Sequence, residues 1–186
     1  MYSLNELRRG NYVNIDGNPF VVIDNEFVKP GKGTPFNRVK IKNLLTQNTI
    51  EKTFKASEKL ERADIEEKEM QYLYNDGNHY HFMHPETFEQ IEVSEEALGD
   101  TVKYLLEQTM CSILFYNGKA ISVSLPNFVI LEITYTEPGL KGDTSNMPFK
   151  TAQLETGHEI QVPLFCEIGD KIRIDTRDNK YIERAN

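Results

Sequence analysis

Lys29-Pro30-Gly31-Lys32-Gly33-Thr34-Pro35 separates two strand-like runs, Pro19 to Val28 and Phe36 to Leu44. The two prolines bias the residues before them toward extended backbone. Gly31 and Gly33 have no Cβ, so the chain there can turn sharply or approach another surface closely. Two strand patterns joined by such a loop read as a hairpin, and the sequence predicts a thin tip with Lys32 at its apex. A compact ammonium on a flexible stem can reach phosphates or sugars where bulkier elements cannot. A tip of this kind adds little to the stability of its own domain, so we expect it to be inserted into something anionic and narrow.

Charge distribution supports that expectation better than total charge does. The 186-residue chain carries −8 overall, which alone argues against nucleic acid. Residues 1–62, however, hold 11 Lys/Arg against 7 Asp/Glu, residues 63–126 hold 3 against 12, and residues 127–186 hold 7 against 10. From Lys29 to Lys42 there are five basic residues (Lys29, Lys32, Arg38, Lys40 and Lys42) and no acid. A basic end can meet phosphate while an acidic middle suppresses indiscriminate adhesion to RNA. Arg38, Lys40 and Lys42 alternate along the strand behind the tip, so they share its outward face, with Val39, Ile41 and Leu44 or Leu45 inward.

Other classes find little support. No apolar run approaches the roughly 18 residues of a membrane span, and the N-terminus lacks the pattern of a secretory signal. Cys111 and Cys166 match no redox or metal spacing and read as buried, reduced thiols of a cytoplasmic protein. His79, His81 and His84 invite a zinc hypothesis, but no further ligand stands at convincing spacing, so half-exposed strand histidines are expected instead. Neither a nucleophile elbow nor a phosphate-cradling glycine loop is present. We expect no catalytic residue, no metal and no dissociable cofactor.

The organisation reads as three β modules: residues 1–62, 63–126 and 127–186. In the first, Asp16-Gly17 joins Tyr12–Ile15 to the strand leading to the tip, and Thr49–Phe54 adds another strand, giving a small bent barrel. The charged stretch 55–66 reads as a boundary. In the second, Tyr72–Tyr74 and His79–Met83 flank a turn, Phe88–Val93 follows, Asp100 caps a short helix, and Asn117-Gly118 joins Ile113–Tyr116 to Ala120–Leu125. Gly99 argues against a longer helix starting at Ser94. Strands with one short helix fit a five-stranded OB barrel. The third module has strands at Phe128–Tyr135, Ile160–Phe165, Lys171–Asp175 and Lys180–Glu183, with a long loop from Pro138 to about Phe149. The class is all-β, and short connections predict an elongated molecule.

Glu26-Phe27-Val28-Lys29-Pro30-Gly31-Lys32-Gly33 and Phe36-Asn37-Arg38-Val39-Lys40 resemble the domain I loop of bacterial elongation factor P. Further similarity lies at Glu51–Lys55, Tyr72–Gly77, Phe88–Gln90, Pro138–Thr144, Val162–Phe165 and Asp175–Arg177. The resemblance implies a KOW/SH3-like barrel followed by two OB-type barrels in an L shape. It implies a monomer bound to the ribosome between the P and E sites, beside the P-site peptidyl-tRNA, that promotes peptide-bond formation at polyproline stalls. Lys32 would be the residue reaching the tRNA CCA end, with Lys29, Pro30, Gly31 and Gly33 shaping the tip and Arg38, Lys40 and Lys42 holding RNA backbone. Lys32 would be lengthened by a lysine-modifying enzyme through β-lysylation, the phrase Glu26-Phe27-Val28 matching that branch. Gly142, Asp143 and Thr144 match a third-domain loop near the E-site codon, and Tyr181 and Arg184 match positions facing the small subunit. Thr34-Pro35 replaces a pair that usually ends in alanine, and Ser145–Phe149 replaces a glycine-rich run. A paralogous ribosome- or RNA-binding factor with another target is the alternative.

Overall fold

The computed structural model describes residues 1–139 and 148–186. Three antiparallel sheets follow one another along the chain. The first contains Tyr2–Ser3 (β1), Tyr12–Ile15 (β2), Asn18–Val28 (β3), Phe36–Asn43 (β4), Thr49–Lys55 (β5) and Lys59–Arg62 (β6), in the order β1-β6-β2-β3-β4-β5. The turn between β2 and β3 is Asp16-Gly17, both at positive φ (52° and 80°), as a tight two-residue hairpin requires. Alternation puts Val13, Ile15, Phe20, Val22, Val39, Ile41, Phe54 and Leu60 inside with Leu4 and Leu7. Of the two leucines after β4, Leu44 is buried and Leu45 exposed.

The second sheet comprises Ile65–Asn75 (β7), Tyr80–Met83 (β8), Gln90–Val93 (β9), Met110–Tyr116 (β10) and Lys119–Ser124 (β11), ordered β11-β10-β7-β8-β9. Between β9 and β10 the chain forms one helical turn, Glu95–Leu98 (α1), and a 3-10 segment, Gly99–Tyr104. The third sheet comprises Phe128–Thr136 (β12), Phe149–Leu154 (β13), Glu159–Pro163 (β14), Lys171–Asp175 (β15) and Lys180–Arg184 (β16), ordered β14-β13-β12-β15-β16. Its two end strands, β14 and β16, also meet, so this sheet curls toward closure around Leu131, Ile133, Leu154, Val162, Ile172 and Ile174. The architecture is all-β.

Packing divides the chain into two compact units, residues 1–68 with 113–122, and residues 69–112 with 123–186. Residues 113–122, most of the β10–β11 hairpin, therefore belong to the first unit, where the Tyr116 hydroxyl donates to Asn14 Oδ1 at 3.0 Å and the Asn117 N–H to the Asp64 carbonyl at 3.1 Å. The expected break after residue 62 separates sheets and does not separate compact units.

Several local expectations need correction. The stretch 55–66, expected as a boundary, contains β6, anchored by buried Leu60, and the start of β7, so the first sheet gives way to the second within it. Only one helical turn follows Ser94, and Gly99, at φ 54°, ends it, so no longer helix starts there, as expected. The residues that turn and the 3-10 segment bury are Leu98 and Tyr104, and Leu105 just beyond them is buried too. Phe88 lies outside β9, at φ 60° and well exposed. Phe149–Leu154, β13, is a strand absent from the sequence expectations.

Candidate functional site

Strand β3 is long enough to serve two purposes. Its first half lies in the barrel and its second half, paired with β4, forms a finger whose last ladder pair is Val28↔Phe36. Residues 29–35 lie beyond that pair. Gly31, Lys32, Gly33 and Thr34 are exposed, as is Lys29, while Pro30 and Pro35 are half-buried. Among the described residues neither Lys29 nor Lys32 forms an ion pair. The two glycines are not equivalent. Gly33 has φ 111°, which a side chain would resist, whereas Gly31 has no positive φ and open space where a Cβ would stand.

Arg38 and Lys40 project outward from β4, as alternation requires, with Lys42 half-buried on the same face. They are not an unopposed basic stripe. Register places Asp24 beside Lys40 and Glu26 beside Arg38 on one side, and Glu51 beside Lys40 on the other. The Arg38 guanidinium contacts Glu26 at 3.5 Å and Glu51 at 3.3 Å. Exposed pairs of this kind are worth about 0–1 kcal/mol, so an RNA phosphate could displace either carboxylate at small cost. The pairing of Glu26 and Glu51 with Arg38 was not among the sequence expectations. Their signal was there: once the hairpin closes at Val28 and Phe36, counting back by residue pairs puts Glu26 against Arg38.

The remaining candidates are dispersed. His81 is buried, its Nε2 is 2.8 Å from Asp76 Oδ2, and its ring stacks on Tyr74 at 4.4 Å. The expectation of half-exposed strand histidines is wrong for all three, because His79 and His84 lie outside β8 and His81 is inside. His84 instead accepts the Glu86 and Thr87 N–H groups at its Nδ1. Among the described residues no three His, Cys, Asp or Glu side chains converge as a metal site. The imidazole of His81 and the His79 and Asn78 N–H groups hold the Asp76 carboxyl well below the usual carboxylate range. Both cysteines are buried and free. Burial pushes the Cys111 thiol up to about 12.

Tyr181 and Arg184 lie on β16. Burial, with Cys166 beside it, raises the Tyr181 phenol. Arg184 is 3.7 Å from Asp170 and lies over the Phe165 ring at 5.0 Å. Gly142, Asp143 and Thr144 fall outside the described residues.

Three family models match in chain order: the elongation factor P KOW-like domain over residues 3–60, its OB domain over 65–123, and the elongation factor P C-terminal domain over 129–184. The chain belongs to the elongation factor P family. It is thus built from the domains of a translation factor. Solved structures extend the likeness beyond the elongation factor P family. One described as eukaryotic translation initiation factor 5A from Methanococcus jannaschii is similar at TM-score 0.51 and 26% identity, over 65% of this chain and 93% of that one. A translation initiation factor 5A family protein from Naegleria fowleri matches at TM-score 0.51 over 67% of this chain and 96% of that one; at 19% identity it shows the fold alone. In this elongation factor P family member the finger belongs to the KOW-like domain, and no helix among the described residues is long and apolar enough to cross a membrane.

Proposed function

We propose that this elongation factor P family member works in the cytoplasm as a monomer, binds the ribosome beside the P-site peptidyl-tRNA and promotes peptide-bond formation at runs of proline. Three domains, residues 1–62, 63–126 and 127–186, carry out this task. The observation that carries the reading is the exposed Lys32 at the end of a two-stranded finger, with no acid between Lys29 and Lys42. Lys32, lengthened by β-lysylation, hydrogen-bonds the CCA end of the tRNA. It acts by holding the peptidyl-tRNA in a near-attack geometry and takes no part as acid or base. Each tenfold gain in rate needs about 1.4 kcal/mol, and a net hydrogen bond contributes about 0.5–1.5 kcal/mol. A few such bonds formed only in the reactive arrangement can therefore relieve a stall.

Arg38, Lys40 and Lys42 hold RNA backbone behind the tip. Arg38 does so by exchanging Glu26 and Glu51 for phosphate. Gly142, Asp143 and Thr144 contact the region of the E-site codon, and Tyr181 and Arg184 face the small subunit. The test is a reconstituted translation assay on a message encoding consecutive prolines. Lys32→Ala should keep the melting temperature and lose the relief of stalling. Full relief by that variant would refute the role. Intact-mass measurement of the native protein, with the adduct mapped to Lys32, tests the modification.

A further inference from the structure

The finger leaves its barrel at an irregular point. In the β3–β4 ladder Val22 pairs with Ile41 and Asp24 with Lys40, so Ile23 is an unpaired extra residue in β3. A bulge of this kind bends the strand and increases its local twist. Everything beyond it, including Lys32, swings with that bend. An unsupported bulge would let a two-stranded ribbon wander, because an isolated hairpin is marginally stable in water.

The segment 3–11 lies on both sides of the bulge. Below it, the Gly10 N–H donates to the Val22 carbonyl at 2.8 Å and the Val22 N–H donates to the Asn11 carbonyl at 2.9 Å. Above it, the Asn25 side-chain amide donates to the Leu4 carbonyl at 2.7 Å and the Leu7 carbonyl at 3.4 Å. Asn37, on the opposite strand of the finger, donates its amide to Asn25 Oδ1 at 3.0 Å. The segment is itself firmly built. Leu4 and Leu7 are core residues, the Glu6 carboxylate accepts the Ser3 N–H, and the Arg8 guanidinium donates to the Asn5 carbonyl. Asn37 is 1% exposed, and its Oδ1 has no hydrogen-bond partner. A buried acceptor left unsatisfied destabilises the fold. A leucine of similar size would avoid that cost, so stability alone does not account for an asparagine there.

We propose that the segment 3–11 and the Asn25–Asn37 amide pair form a brace across the Ile23 bulge that sets the aim of the Lys32 finger. Asn25 and Asn37 are positioning residues, acting through the finger and not on any bound RNA. The functional half of the proposal rests on the reading that Lys32 acts at the peptidyl-tRNA; the structural half does not.

The two halves are tested separately. Full-length protein carrying Lys32→Cys and Glu61→Cys takes two spin labels, one on the tip and one on exposed β6, while buried Cys111 and Cys166 stay unlabelled. Pulsed dipolar spectroscopy reads the spread of tip-to-barrel distances. Asn25→Ala should widen that spread roughly twofold, whereas Val13→Ala, a core truncation in the same barrel matched for loss of melting temperature, should leave it unchanged. Asn25→Asp keeps the volume and the acceptor for Asn37 but cannot donate to Leu4 and Leu7; it should widen the spread too and replaces Asn25→Ala if that variant does not fold. An unchanged spread in the Asn25 variant, or equal widening in Val13→Ala, overturns the brace. With Lys32 retained, Asn25→Asp should lower the maximal rate through consecutive prolines about tenfold while the half-saturating factor concentration holds. Widened distances with an unaltered maximal rate would overturn the functional half. A fully active Lys32→Ala would instead overturn the reading of Lys32 and leave the brace standing on the distances.

Discussion

Gly33 holds φ 111° at the tip, and Gly31 does not enter the left-handed region at all. Gly33→Ala should therefore strain the tip by about 1–3 kcal/mol and reduce proline relief even with Lys32 intact. Gly31→Ala should be tolerated, since its Cβ meets open space. Assaying the two variants side by side checks this. Asp76 gives a prediction in pH. Its folded pKa is depressed from the ordinary 3.8 by His81 and two backbone N–H groups. Its stabilising contribution is complete above 3.8 and fades as pH falls through the folded value. Asp76→Asn should thus melt below wild type at neutral pH, and the gap should narrow below about pH 4, as thermal melts across acid pH would record. At this level the sequence was informative about which residues matter and poor about how they differ. Lys32 and both glycines stood out, but only backbone angles distinguish Gly33 from Gly31. Three spaced histidines suggested a group, yet His81 turns inward to Asp76 while its neighbours leave the strand.

The finger is a strand pair with its own charge pattern. Because Glu26 and Glu51 already engage Arg38, Arg38→Ala should weaken ribosome association less than Lys40→Ala. If Lys40 meets a phosphate, its loss should lower the slope of log affinity against log salt by about one. Filter-binding titrations in varied salt measure both. The hairpin was legible because two long alternating runs and a proline–glycine loop all agree. The same agreement marked Asp16-Gly17 and Asn117-Gly118 as tight turns, and both have paired positive φ. Three strands escaped for the opposite reason, of which Tyr2–Ser3 is only two residues long. Lys59–Arg62 holds one apolar residue among three charged ones, and only pairing with β1 and β2 makes it a strand. Phe149–Leu154 buries Ala152 and Leu154, too small an apolar face to declare itself. The Asn25–Asn37 pair could not be read locally, because its partners Leu4 and Leu7 are distant in sequence.

The chain as a whole couples a basic first 62 residues to a more acidic remainder, so encounter with RNA is biased toward the end that carries the finger. Three domains matched in order by one family explain why the sequence resemblance ran the length of the chain. That residues 113–122 of the β10–β11 hairpin join the first compact unit was not foreseeable from spacing. Thiol chemistry reports on global integrity: with Cys111 pushed up to about 12 and both thiols buried, a thiol reagent at neutral pH should label neither cysteine until the protein unfolds. The central claim is that Lys32 is carried to the end of the P-site tRNA. A photo-crosslinking residue placed at position 32 of the full chain, bound to ribosomes stalled at consecutive prolines, tests it most directly. Cross-links confined to the 3′ end of the P-site tRNA are the predicted result. Cross-links elsewhere on the ribosome with none to tRNA, while the factor is bound, would contradict it.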